Sequence, residues 1–139
     1  MTPDEIIAAA RACVGTPFRH QGRVVGVALD CAGVAVHVAQ TLGLSPLDPE
    51  GYGRTPAYGL LEETLDSEPF LERVADIADR QPGDLLLMRF AAEPQHLAIL
   101  AGDTIIHAYE PPGLCCEHRF SERWAERVVH VYRFVGVTP

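Results

Sequence analysis

Apolar residues in the first half of the chain recur at helical spacing, while those of the second half fall in short β-prone runs. Thr2, Pro3 and Glu5 read as a capping box with proline at the first helical position. The stripe Ile6, Ala10, Cys13 and Val14 follows, and Gly15 ends it. A loop from Gly15 to about Leu29 comes next, punctuated by glycine and proline and of a length that tends to carry function in small domains. Asp30 is a good N-cap. Behind it Cys31, Val34, Ala35, Val38 and Leu42 repeat at helical spacing until Gly43 stops them. From Ser45 to about Pro56 proline and glycine dominate, and a short third helix carrying Leu60, Leu61 and Leu65 is expected after Thr55-Pro56.

Strands are expected from there on. Gln81-Pro82-Gly83-Asp84 has the central residues of a type II turn and launches the apolar run Leu85 to Met88. Gln95 to Ala101 and Thr104 to Tyr109 form a hairpin about Gly102-Asp103, and Arg127 to Phe134 closes the sheet. Helices first and strands afterwards predict an α+β fold with a mainly antiparallel sheet, and residues 1–139 read as a single domain.

A net charge of −8 repels phosphate backbones and anionic lipid, so nucleic acid is not an expected partner. No stretch of eighteen apolar residues suggests a membrane span. The acidic start Met1-Thr2-Pro3-Asp4-Glu5 is unlike a secretion signal, which leads to the expectation of a cytoplasmic product. The four cysteines, at 13, 31, 115 and 116, show no disulfide-framework spacing and are expected as free thiols.

Cys31 opens a helix, where unpaired N–H groups and the dipole favour a thiolate, and an imidazole within reach would act as its base. Six histidines are candidates: His20, His37, His96, His107, His118 and His130. A tight turn at Gly102-Asp103 pairs residues whose numbers add to 205, so His107 faces Ala98 and shares a sheet face with His96. A helix carrying Cys31 and packed on that face completes a nucleophile, base and polar-orienter arrangement, with backbone N–H groups at the helix start, that of Cys31 among them, available for an oxyanion.

Five stretches in order carry a resemblance: Gly15-Thr16-Pro17-Phe18-Arg19-His20-Gln21-Gly22, Asp30-Cys31-Ala32-Gly33, Gln81-Pro82-Gly83-Asp84-Leu85, Gln95-His96-Leu97-Ala98-Ile99 and Ile106-His107-Ala108. Together with the Cys-to-His spacing of 65 and the His-to-His spacing of 11, they resemble the NlpC-type (NlpC/p-sixty) cell-wall cysteine peptidases. The stretch from Glu122-Arg123-Trp124 to Phe134 looks like the branch associated with bacteriophage tails. The resemblance implies a papain-like domain that cleaves peptide bonds in peptidoglycan stems, with Cys31 as nucleophile, His96 as base and His107 as orienting third member. Phe18, Arg19, His20, Asp30 and Ala32 are its expected substrate-binding residues. Phe18 replaces a tyrosine and Ala32 a serine found in many relatives. The same likeness implies phage tail proteins as partners and delivery to the wall by a tail or virion.

Blander readings stand beside these. Cys13, Cys115 and Cys116 read as small core hydrophobes, and His37, His118 and His130 as surface or edge residues. Arg19 and Arg23 suit substrate carboxylates or plain surface ion pairs. Cys31, His96 and His107 have the donor types of a zinc centre, but no fourth ligand or acidic base accompanies them, so no metal and no cofactor are expected. The rival functions are a non-catalytic tail-assembly component and an amidase acting on a small molecule or a host protein.

Overall fold

A computed structural model describes residues 1–46, 60–90 and 93–138. Helix α1 (Pro3–Arg11) begins as its capping sequence dictates, with the Thr2 hydroxyl accepting the Glu5 amide at 3.2 Å. It stops four residues before Gly15, and Cys13 enters the core from the turn that follows. Helix α2 (Cys31–Thr41) starts where Asp30 accepts the Gly33 amide at 2.8 Å. The long loop between the helices folds on itself as a small hairpin, β1 (Arg23–Val24) with β2 (Ala28–Leu29). Helix α3 (Leu60–Ser67) sends Leu61 and Leu65 into the core; its expected start after Thr55-Pro56 lies outside the described residues.

Strands β3 (Leu71–Arg73), β4 (Leu85–Phe90), β5 (Glu93–Leu100), β6 (Thr104–Tyr109), β7 (Leu114–Arg119) and β8 (Val128–Phe134) form one antiparallel sheet in the order β3-β8-β4-β5-β6-β7. The turn before β4 has Gly83 at φ 93°, with Asp84 N–H bonded to the Gln81 carbonyl at 3.0 Å, as its sequence predicts. The β5–β6 register is the predicted one: Ile99 pairs with Ile106 and Leu100 with Ile105.

The two sheet faces have separate cores. Leu85, Leu87, Leu97, Ile99, Ile106 and Ala108 pack with α1 and α2 around Ile6, Ala10, Val34 and Val38. Leu86, Met88, Ala98, Leu100, Ile105 and Val131 form the other core, which the short helix α4 (Glu122–Ala125) covers with Trp124. No helix among the described residues is long and apolar enough to cross a membrane.

The β1–β2 loop is seated by close backbone approach. A Cβ on Gly33, in the first turn of α2, would lie 2.3 Å from the Gly22 carbonyl oxygen, and one on Gly22 would lie 2.6 Å from the Ala28 backbone. Only glycine permits this contact. The loop is further tied to β7 by the Gly15 amide on the Cys115 carbonyl, the Cys115 amide on the Thr16 carbonyl and the Phe18 amide on the Gly113 carbonyl, each at 2.8 Å.

Candidate active site

Period-two alternation puts His96 with Ala98 and Leu100, and His107 with Ile105, so both rings lie on the face that Trp124 covers. Helix α2 packs on the opposite face. This corrects the expectation that the helix and the imidazoles share one face. The sulfur reaches the strands that carry the rings where β5 and β6 separate: pairing ends at Ile99–Ile106, although β6 continues to Tyr109. Leu100 N–H bonds to Asp84 on the β4 side, so alternation turns the Leu97 N–H toward β6, into the gap. There the Cys31 thiol takes the place of the missing strand partner, with the Leu97 and Ala32 amides turned on Sγ. Leu97 is joined by one peptide link to His96.

His96 Nε2 lies 2.6 Å from His107 Nδ1, and His107 Nε2 lies 2.7 Å from His118 Nε2. The row ends at the Arg119 carbonyl, 2.9 Å from His118 Nδ1. His96 is 4% exposed and His107 fully buried. Aromatic rings fix the row: Phe90 stacks on His96 at 4.7 Å, Tyr109 on His107 at 5.1 Å, and Trp124 meets His107 edge-on at 5.1 Å. The Arg127 guanidinium lies 5.4 Å from the Trp124 ring centroid.

The electrostatics correct a second expectation. Burial, followed by the neighbouring Asp30 carboxylate, pushes the Cys31 thiol up to about 12, against the opposing pull of the Leu97 and Ala32 amides and Arg23. Desolvation opposes the helix start at this half-buried cysteine and favours the thiol. Burial, then the neighbouring His107 and Arg127, holds His96 well below the ordinary histidine range. Burial and His118 bring His107 down to about 3. The resting groups are a neutral thiol and neutral imidazoles.

The expected substrate-binding residues separate into three places. Phe18, Arg19 and His20 line an open depression with Glu110 and Gly113. Asp30 is buried; its carboxylate accepts the Gly33 amide at 2.8 Å, the Gln21 amide at 2.9 Å and Arg23 at 2.8 Å, which anchors the loop to the helix start. Ala32 lines an apolar cavity between α2, α3 and the sheet with Ala35, Leu61, Leu65, Leu97 and Phe134. Arg23 is the ion-pair residue of the two loop arginines.

His118 is an edge histidine as expected, on strand β7 and part-buried, but it also joins the imidazole row, which that reading did not include. The missed signal was a second hairpin, since Pro111-Pro112-Gly113 turns β6 into β7 and pairs His107 with Cys116, which leaves His118 diagonal to His107 on the same face. His37 and His130 sit away from the row, bonded to Thr41 and Glu62.

Ligand atoms of His107, Cys116 and His118 lie within 4.8 Å of one another, a donor set of the type that holds zinc. Two nitrogens on one tetrahedral zinc stand about 3.3 Å apart, given zinc–nitrogen bonds of about 2.0–2.1 Å. The 2.7 Å between the His107 and His118 nitrogens is instead a hydrogen bond. As arranged, the cluster is a hydrogen-bonded row. The free cysteines are Cys13, Cys31, Cys115 and Cys116.

No family model and no curated protein matches the chain. Solved structures do. The NlpC/p60 domain of the peptidoglycan hydrolase SagA superposes with a TM-score of 0.62 at 23% identity, covering 94% of this chain and 97% of that domain. An NlpC/P60 family protein from Bacillus cereus gives 0.73 at 16% identity over 97% of this chain. The peptidoglycan hydrolase RipB from Mycobacterium tuberculosis gives 0.68 at 16% identity over 94% of this chain and 63% of that one. The chain spans about two fifths of the length of the Bacillus cereus protein and of a lipoprotein-like NLP/P60 protein from Staphylococcus aureus, 41% in each case. The fold is therefore the papain-like α+β fold of NlpC/P60 domains.

Proposed function

We propose that this chain is a cysteine-type amidohydrolase acting on peptide bonds of peptidoglycan stems, with residues 1–139 as one catalytic unit. The observation that carries this reading is the thiol at the start of α2, held in the β5–β6 gap at the amide of Leu97, the residue that follows His96, whose Nε2 is engaged by His107 at 2.6 Å. The papain-like fold and the ordered motifs around Cys31, His96 and His107 support it.

In this reading the neutral His96 takes the Cys31 S–H proton as sulfur attacks the scissile carbonyl, so no standing thiolate is needed. The Cys31 N–H, at the first position of α2, serves the oxyanion. His96 returns the proton to the leaving amine. Water then attacks the thioester, again with His96 as base, and restores the thiol. His107 holds the His96 ring in orientation. The depression at Phe18, Arg19 and His20 receives the polar peptide, where Arg19 suits its carboxylates.

Digestion of purified peptidoglycan with wild type and Cys31→Ala, read by mass spectrometry of the muropeptides, tests the reading. New amine and carboxyl termini with wild type alone are expected. No cleavage by wild type, or equal cleavage by Cys31→Ala, would overturn it. Absence of cleavage favours the non-catalytic role, and turnover only of simple amides favours the small-molecule amidase. Association with phage tail proteins rests on the likeness of the Glu122–Phe134 stretch; copurification with tail particles tests it, and its failure removes that part alone.

A further inference from the structure

His118 has no role in the reaction above, yet it is the outer end of the imidazole row. We propose that His118 is a positioning residue that sets the tautomers of His107 and His96 and receives the charge released when Cys31 loses its proton. This rests on the amidohydrolase reading of the same site.

The polarity of the row follows from its fixed end. A carbonyl oxygen only accepts, so His118 Nδ1, 2.9 Å from the Arg119 oxygen, carries the hydrogen. A neutral imidazole has one N–H, so His118 Nε2 presents a lone pair. His107 Nε2, 2.7 Å away, must then donate to it, which leaves His107 Nδ1 bare. His96 Nε2 donates to that nitrogen across 2.6 Å. His96 Nδ1 is left with the lone pair, the form a base for Cys31 requires. With neutral rings, the reverse polarity would set the His118 Nδ1 lone pair against the Arg119 oxygen.

The row also gives the charge a route out of the core. An imidazolium at His96, 4% exposed, is costly. As the Cys31 proton reaches His96 Nδ1, the Nε2 proton of His96 passes to His107 Nδ1, and the Nε2 proton of His107 passes to His118 Nε2. Three protons move by one bond each. The products are a thiolate, neutral His96 and His107 in their opposite tautomers, and an imidazolium at His118. That residue lies on the edge strand β7, partly open to solvent, with its ring 5.1 Å from the Trp124 ring, a suitable neighbour for a cation. The reverse shift delivers the proton to the leaving amine.

The test uses the full chain labelled with nitrogen-15 in its histidine rings, read by long-range proton–nitrogen correlation at neutral pH. Wild type is expected to show Nδ1–H at His118 and Nε2–H at both His107 and His96. His118→Phe removes the acceptor, so His107 and His96 should sample both tautomers. Its kcat should fall about tenfold to a hundredfold, part of the roughly 10²–10⁴ that positioned acid–base catalysis supplies, with KM unchanged. His118→Gln keeps a carbonyl that can accept from His107 Nε2–H, so it should retain both tautomers and recover part of kcat. Unmixed tautomers or wild-type kcat in His118→Phe would overturn the proposal, as would Nδ1–H at His96 in wild type. A wild type with the expected tautomers that hydrolyses nothing would instead overturn the amidohydrolase reading, because the spectrum is read without substrate.

Discussion

Alkylation of Cys31 discriminates a resting thiol from a resting thiolate. Iodoacetamide reacts with the thiolate, so its rate at a given pH follows the ionised fraction. Burial raises Cys31 to about 12 from a reference of 9.0, a difference of three pH units. At pH 7 the ionised fraction is then about a thousandfold smaller than for an unperturbed thiol. The assay is iodoacetamide at pH 7 and pH 9, quenched over time, with the Cys31 peptide quantified by mass spectrometry against a small-molecule thiol in the same tube. The expected result is labelling far slower than the free thiol at pH 7 and about a hundredfold faster at pH 9. Labelling at pH 7 as fast as the free thiol would mean that the helix start outweighs desolvation, and would refute the neutral-pair account.

Two further outcomes follow from packing and from the histidine row. Gly33→Ala places a Cβ 2.3 Å from the Gly22 oxygen and 3.0 Å from Leu29 Cδ2, so the loss from overpacking, about 1–3 kcal/mol, should exceed the gain of less than about 1 kcal/mol from replacing a helical glycine. Urea denaturation checks it, and an unchanged or raised midpoint would mean the loop is not seated there. His107 is held at about 3 in the fold against 6.5 when free, so below pH 6.5 the unfolded chain binds a proton that the folded chain refuses. Stability should therefore fall as pH drops from 6.5 towards 3, by up to about 1.4 kcal/mol per pH unit from this residue, and stay flat above 6.5 on its account. His107→Gln should show a shallower acid slope; an equal slope would remove the buried neutral histidine.

The starts of the first two helices and the β5–β6 register were legible in the sequence because each depends on local chemistry. Thr2 and Asp30 cap their helices through amides three residues ahead, and Gly102-Asp103 leads to the pairing that brings His96 to His107. Less legible was whatever depends on where strands part. Alternation says that His96 and His107 share a face, but not that β6 leaves β5 after Ile99–Ile106 and lets a sulfur from the other side reach the Leu97 amide. β7 was missed because Leu-Cys-Cys-Glu-His-Arg has no clear apolar alternation, and His118 was missed with it. The expected thiolate counted the helix start and left out desolvation, a quantity fixed only by packing of the whole domain.

The claim on which the account depends is that Cys31 carries the acyl group. Mixing the protein with purified muropeptides, quenching in acid at short times and measuring the mass of the Cys31 peptide tests it directly. The account predicts a thioester adduct of the stem fragment on Cys31 that appears and decays with turnover, and neither adduct nor turnover in Cys31→Ala. Turnover with Cys31 unmodified at every quench time, or equal turnover by Cys31→Ala, would contradict it.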